Sequence, residues 1–361
     1  MACGGTAGHV YPALALADAY RETFPDTEIL FIGAPGGMES SLVPARGYRL
    51  ELVRGAPFMR QGVGGKIRAL GALPAGVAGA RRLYRERKIK LVIGFGGYAS
   101  AGALVAARSL GLKTAIHEAN VFPGLANRWL GRTVDRIYLA FDQTRAAFPR
   151  GRALVTGNPV RREVAALAQK PKPLSDPAGR RARFLVTGGS GGSEFLNRRV
   201  PVLLSKIAGH GFAPEALHQA GGFPLDSIRA EYSRAGVPAT VVSYIDDMSG
   251  AYARADFVVS SAGSQTMSEL SVCGLPCLLV PLAGAAADHQ SANAAAFAAA
   301  GGAIWVQEQA WDADSLAARI ASLLRDHRAG KSGPGANARP REIDAAAMLI
   351  ADLEELMRGR W

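Results

Sequence analysis

Two glycine-rich turns dominate this chain, Gly4-Gly5-Thr6-Ala7-Gly8-His9 near its start and Gly188-Gly189-Ser190-Gly191-Gly192-Ser193 half a chain later. Each leads straight into a helical stretch. A glycine turn at a helix N-terminus offers backbone N–H groups and the positive end of the helix dipole, a setting that suits phosphate. Either turn alone also serves merely to pack a helix on a strand. Two of them in 361 residues predict two nucleotide-fold domains facing one another across a cleft. The turns differ at one telling position, where the first carries His9 and the second Ser193.

Short apolar runs at 28–33, 91–94, 114–117, 136–140 and 153–156 predict strands in the first half. Those at 183–187, 240–243, 256–260, 277–281 and 303–306 do so in the second. Helical segments of about 10–18 residues separate most of them, the pattern of parallel α/β sheets. The expected organisation is a Rossmann-like domain over 1–160 and a second over 161–340, with the Pro-rich, charged stretch 169–183 in the connection between them. A Gly/Ala/Pro-rich break at 329–340 precedes an amphipathic helix at about 341–358, expected to pack back on the first domain. Only Met1-Ala2-Cys3 precedes the first turn. The central strand that belongs there is therefore expected to be truncated, leaving ladder hydrogen bonds unmade on two neighbours.

Charge is unevenly spread. Residues 1–160 hold 21 Lys/Arg against 10 Asp/Glu, whereas 161–361 hold 21 against 20, so nearly all of the net +12 lies in the first half. A basic domain attracts phosphates, nucleic acid or an anionic membrane face; the alternative is compositional drift in a chain with 34 Arg and 8 Lys. A hydrophobic content of 48% with 20% charged residues excludes a disordered chain. Three cysteines, Cys3, Cys273 and Cys277, are too few for a disulfide framework and fit a reducing cytoplasm, and no signal peptide is visible. The uncharged run Leu91–Ala107 is broken by Gly94, Gly96 and Gly97 and reads as strand, loop and helix, not as a membrane span. In 66–83, Ile67, Leu70, Leu73 and Val77 recur near helical spacing between basic residues. That stretch suits either an interfacial membrane patch or a plain helix covering the sheet.

The segments GGTAGHVYPALALA (4–17), GFGGYASAGALVAARSLG (94–111), HEANVFPGLANRWL (117–130) and GNPVRREV (157–164) carry a resemblance. It continues through VTGGSGGSEFLNRRVP (186–201), SELSVCGLPCLLVP (268–281) and DHQSANA (288–294). Together these span nearly the whole chain in order, and they resemble the MurG family, the cytoplasmic N-acetylglucosaminyltransferases that make lipid II from lipid I in peptidoglycan synthesis. The resemblance implies a GT-B fold and an inverting, metal-independent transfer from UDP-GlcNAc to the C4 hydroxyl of undecaprenyl-diphosphate-linked MurNAc-pentapeptide. It implies a peripheral enzyme on the cytoplasmic face of the inner membrane. The expected partners are UDP-GlcNAc, lipid I, the anionic inner leaflet and other cell-wall synthesis and division proteins, with no nucleic acid and no metal cofactor.

Residue by residue, the family match makes His9 the base for the acceptor hydroxyl; packing at the helix start is its plainer role. Imidazole is the side-chain type suited to taking a proton near neutral pH, as such a base must. The match puts Gly5, Tyr98, Glu118 and Asn127 on the acceptor and diphosphate side. Donor contacts fall on Thr6, Gly8, Asn120, Arg161, Ser190, Ile245, Ser264, Glu269 and Gln290, and Asn120 also borders the acceptor side. Glu269 is the expected ribose ligand, because a carboxylate accepts both hydroxyls of a cis-diol. Asn293 accompanies Gln290 at the donor sugar. Gly191 stands where many family members carry glutamine, and Ser261 where arginine is frequent. The single Asp-x-Asp pair, Asp312-Ala313-Asp314, reads as the acidic first turn of a helix and not as a metal site. Alternatives are another twin-domain glycolipid transferase, such as a diacylglycerol glucosyltransferase, and a catalytically silent nucleotide-sugar-binding relative. A dinucleotide oxidoreductase fits poorly, since the second turn lacks G-x-G-x-x-G spacing.

Overall fold

The computed structural model describes residues 1–53, 63–169, 181–282, 289–299, 301–330 and 344–359; the side chains of 63–73, Tyr98 and Gln169 lie outside that description. So does most of the expected connection at 169–183 and of the break at 329–340. The chain divides into two compact units, the first formed by Met1–Arg162 with the C-terminal helix and the second beginning at Glu163. Both are parallel α/β sheets.

The first unit carries β1 (Leu30–Gly33), β2 (Arg49–Leu52), β3 (Leu91–Gly94), β4 (Lys113–Glu118), β5 (Arg136–Leu139) and β6 (Ala153–Val155). Its helices are α1 (Ala7–Thr23), α2 (Glu39–Ala45), α3 (Val63–Glu86), α4 (Tyr98–Ser109) and α5 (Leu125–Leu130), and the short α6 (Arg162–Ala165) follows at the boundary. Strands β2 and β1 pair in parallel, as do β3, β4, β5 and β6 in that order. Met1–Cys3 joins the two groups. Ala2 bridges Ile32 and Gly94 in parallel. Its N–H donates to Ile93 O and its carbonyl accepts from Phe95 N, while Cys3 N donates to Ile32 O and Met1 O accepts from Ile32 N, all within 2.8–3.1 Å. The ladder bonds expected to go unmade are made by these three residues.

The second unit carries β7 (Arg181–Thr187), β8 (Ala213–Gln219), β9 (Ala239–Val242), β10 (Phe257–Ser260), β11 (Cys277–Leu279) and β12 (Ala303–Trp305). They lie in the order β12-β11-β10-β7-β8-β9, all parallel. Its helices are α7 (Glu194–Ala208), α8 (Leu225–Arg234), α9 (Met248–Arg254), α10 (Ser264–Cys273), α11 (His289–Ala299) and α12 (Ala313–Arg328). Phe184 and Phe257 meet at 5.7 Å between ring centroids in its core, with Leu203, Leu204, Ile207, Ile320 and Leu324 closing over them from α7 and α12.

The C-terminal helix α13 (Ala345–Met357) belongs to the first core. Leu349, Ile350 and Leu353 pack with Val10, Ala13, Leu14 and Ala17 of α1. Each buried Leu or Ile stabilises by roughly 2 kcal/mol, more than a helix of this length gains from its own propensity. Asp352 fixes its register, accepting from Tyr138 Oη at 2.7 Å and Arg136 Nε at 3.2 Å. Helix α3 spans the 66–83 stretch. From Val77 onward its apolar side chains, including Ala80, Leu83 and Tyr84, pack into the sheet-facing core, as a covering helix does; Ile67, Leu70 and Leu73 lie outside the described side chains.

Two strands escape the sequence pattern. The edge strand β2, Arg-Leu-Glu-Leu, is exposed at both ends. β8 runs inside the sheet yet contains Pro214, Glu215, His218 and Gln219. In each unit the sheet order reverses beside a glycine turn. Chains leaving the sheet on either side of such a point diverge and open a crevice at the strands' C-terminal ends. That crevice lies between Met1–Cys3 and β3 in the first unit, and between β7 and β10 in the second.

Candidate active site

The first turn is built around a carboxylate. Glu39, the first residue of α2, is fully buried. Its Oε2 accepts from Gly5 N and its Oε1 from Ala34 N, both at 3.0 Å. A Cβ on Gly4 would lie 2.7 Å from Glu39 Oε1, one on Gly33 2.5 Å from its Cγ, and one on Gly37 would overlap the carboxylate. His9, half-buried in the first turn of α1, has Nδ1 3.1 Å from Gly4 O. A carbonyl only accepts, so Nδ1 carries the proton and Nε2 keeps its lone pair. Thr6 Oγ1 stands 3.4 Å from the same nitrogen and caps nothing. Gly96 (φ +100°) lies beneath the imidazole, where a Cβ would come within 2.8 Å of the ring, and a Cβ on Gly97 would overlap Gly4 O. This approach brings the start of α4, and thus the Tyr98 backbone, against the first turn. Gly8 lies half-buried beside His9 in α1.

A second group on the same unit forms the 118–127 loop. Glu118 is buried, and its oxygens accept from Asn120 N (3.0 Å), Asn120 Nδ2 (3.1 Å), Gly124 N (3.1 Å) and Asn127 Nδ2 (2.9 Å). With four N–H partners this carboxylate shapes the loop. The residues it gathers are the expected Asn120 and Asn127, and Asn127 Oδ1, also buried, has no partner among the described residues. His117 next to it donates from Nε2 to Gly157 O at 3.1 Å, and burial pushes its pKa down to about 4. It is a neutral structural imidazole. The Arg161 guanidinium lies 4.9 Å from the centre of the Tyr11 ring on α1.

The second turn has a neutral interior. Gly188 and Gly192 pack so closely on Ser193 and on the Ala220 carbonyl that a Cβ on either would overlap backbone. Ser193 caps α7 by accepting from Leu196 N, which leaves Ser190 and Gly191 exposed at the tip. Behind the turn, buried Gln219 donates from Nε2 to Gly189 O at 2.8 Å and accepts at Oε1 from Ile245 N at 2.9 Å. One amide thus ties the turn to the segment after β9. Buried His218 supports it, paired with Tyr232 and Asn197 at 2.9 Å each and pushed down to about 4 by desolvation. Across the crevice, Ser264 opens α10, and buried Glu269 accepts from Tyr252 Oη (3.0 Å) and Gln265 Nε2 (3.1 Å). Gln290 Oε1 accepts from Leu282 N at 2.9 Å, holding the exit of β11, and Asn293 is buried one turn further along α11.

Two family models match this chain: the glycosyltransferase family 28 N-terminal domain over residues 1–139 and the family 28 C-terminal domain over 183–347. The chain belongs to glycosyltransferase family 28. Among its relatives is a UDP-N-acetylglucosamine–N-acetylmuramyl-(pentapeptide) pyrophosphoryl-undecaprenol N-acetylglucosamine transferase of Geobacter sp. (strain M21). It is 36% identical over 353 residues, covering 97% of this chain and 94% of that protein. The protein of the same description from Myxococcus xanthus is 38% identical over 323 residues, covering 90% and 83%. The crystal structure of Acinetobacter baumannii MurG is 27% identical with a TM-score of 0.77, covering 98% of each chain. Its likeness carries the GT-B fold. A putative UDP-N-acetylglucosamine 2-epimerase from Listeria monocytogenes, 16% identical with a TM-score of 0.68, shares the fold alone.

Within this family 28 chain the structure places Gly5, Thr6, Gly8 and His9 together at the first turn, Ser190 at the tip of the second with Ile245 tied to that turn through Gln219, and Ser264 and Glu269 on α10, which follows β10. Gly5 differs from expectation in that its N–H already serves Glu39. Sequence reading missed four residues that hold these sites: Glu39, Gln219, Tyr252 and Gln265. Polar His218-Gln219 inside a strand was the one available signal, since a buried strand keeps polar side chains only where they have partners. Among the described residues no three His, Cys, Asp or Glu side chains gather as a metal site. Asp312 caps α12 by accepting from Asp314 N, and Asp314 pairs with Lys206 at 2.6 Å. Among them, too, no helix is long and apolar enough to cross a membrane.

Proposed function

We propose that this chain transfers N-acetylglucosamine from UDP-GlcNAc to the C4 hydroxyl of an undecaprenyl-diphosphate-linked MurNAc-pentapeptide, giving lipid II with inversion at the anomeric carbon. The observation that carries this reading is the 36% identity, over nearly the full length, to a transferase of that description, joined to a half-buried imidazole whose Nε2 lone pair is set by a backbone carbonyl at Nδ1. In the proposed step His9 Nε2 takes the acceptor hydroxyl proton as that oxygen bonds to the anomeric carbon. The bond to UDP breaks in the same displacement, and the electron pair leaves on the diphosphate. Two features support a donor site on the second unit: the exposed Ser190-Gly191 tip at the α7 N-terminus, and the match of Glu269, held in place by Tyr252 and Gln265, to the family's ribose-binding glutamate. Helix dipole and turn amides then offset the leaving group's charge in place of a metal ion. The first unit's positive charge suits a diphosphate-bearing acceptor on an anionic membrane face, and peripheral attachment there is part of the proposal.

Purified protein should move labelled GlcNAc onto a lipid I analogue in the presence of EDTA, and should not use UDP-glucose. Folded protein that transfers nothing under those conditions refutes the reading. Transfer of glucose instead supports the glycolipid glucosyltransferase alternative.

A further inference from the structure

The first unit contains a buried carboxylate to which the proposed mechanism gives no part. Glu39 is fully buried, and it sits in a cage of glycines drawn from three separate places: Gly4 after the leading strand residues, Gly33 at the end of β1, and Gly37 before α2. All three must lack a Cβ for the carboxylate to fit. It accepts from two main-chain N–H groups, Gly5 and Ala34. Charge-assisted bonds of this kind are roughly twice as strong as neutral ones, so they fix the Gly4–Gly5 peptide rigidly. That peptide's other end is the Gly4 carbonyl, which faces His9 Nδ1 at 3.1 Å and is backed by Gly97. Gly96 then supports the ring from below.

We infer that Glu39 is the positioning residue of the catalytic base: it fills the first glycine turn from within and, through Gly5 and the Gly4 carbonyl, holds His9 with its proton on Nδ1 and its lone pair on Nε2. The inference rests on the reading of His9 as the base. A carboxylate within the turn has a second consequence. A diphosphate at the Gly5 amide would meet a like charge and find that N–H taken, which disfavours a phosphate there. In many hydrolytic sites a carboxylate bonds the imidazole directly; here a carbonyl does so and the carboxylate acts one peptide further back.

The test joins a spectroscopic readout to a kinetic one. In the full-length protein labelled with 15N-histidine, the His9 signals are assigned by their loss in His9→Asn, and the tautomer is read at a pH where the ring is neutral. The Nδ1–H form is expected. Glu39→Gln keeps the shape but turns an N–H₂ group toward one of the two backbone donors. Its kcat should fall by about 10-fold to 100-fold, a part of the ~10²–10⁴ that a positioned base contributes. The KM for UDP-GlcNAc and the affinity for UDP should stay within about twofold, since these report on the other unit. The His9 signals should move toward the Nε2–H form. A wild-type His9 already in the Nε2–H form overturns the inference without any variant. So does a Glu39→Gln protein with undiminished kcat, or one with lowered kcat and an unchanged tautomer, which marks a purely structural role. Wild-type protein that transfers no GlcNAc defeats the underlying reading instead, and the tautomer still reports on Glu39.

Discussion

In the first unit a glycine turn closes around a carboxylate; in the second, a turn of nearly the same sequence closes around an amide and hydroxyls. Glu39 takes the Gly5 N–H in one, whereas Gln219 and Thr187 meet Gly189 in the other, Gln219 at its carbonyl and Thr187 at its N–H. Glycine spacing is alike in the two. What differs is the charge at the back of the turn, and a carboxylate there disfavours an anion at the Gly5 amide. The first turn therefore suits a base that must receive a proton. The second, neutral behind and exposed at Ser190-Gly191, suits a leaving diphosphate.

The largest effect that separates the two turns belongs to His9. His9→Ala should lower turnover by about 10²–10⁴-fold while UDP binding, measured by calorimetry, stays within about twofold; a parallel loss of both would erase the contrast. Gly192→Ala attacks the other side. Its Cβ would overlap the Ala220 carbonyl at a φ of +76°, which should cost about 2–3 kcal/mol in urea unfolding and raise the KM for UDP-GlcNAc.

Next comes a property that the units share. Burial holds His117 and His218 at about 4, below the ordinary 6.5. Between those values the unfolded chain binds more protons than the folded one, so stability is fully present above pH 6.5 and is lost as pH falls toward 4. Acidifying from about pH 7 to about pH 5 should cost each unit about 2 kcal/mol. His218→Gln should blunt the fall in Tm over that range, and an unchanged fall would show that His218 is not buried neutral. The smallest effect is expected at Gly191. A Cβ there meets nothing within 4 Å, so Gly191→Gln should shift stability by less than about 0.5 kcal/mol and tighten donor binding a few-fold. Weaker binding would mean that the tip is tuned to glycine.

The strands with apolar runs were readable from the sequence because parallel strands buried on both faces announce themselves as Val, Ile and Leu. β8 was not readable, for a reason tied to the site: its His218 and Gln219 are buried polar groups that anchor the second turn, and a polarity pattern alone marks them as surface. β2 is a short charged edge with little to bury. At the site, His9 and Glu269 were legible through family motifs. Glu118 was legible too, but its four N–H partners give it the work of shaping the 118–127 loop. Glu39 was invisible, because Gly-Gly-Met-Glu-Ser reads as a loop acid until Gly4, Gly33 and Gly37 are brought around it. Cages assembled from separate segments leave no local trace.

The division between the turns is tested most directly by amide hydrogen exchange, with and without UDP, resolved over Gly4–His9 and Gly188–Ser193. A diphosphate held by the second turn predicts slowed exchange across Gly188–Ser193 and an unchanged pattern across Gly4–His9. Equal slowing at both turns would mean that Glu39 does not keep anions from the first, and would contradict the account.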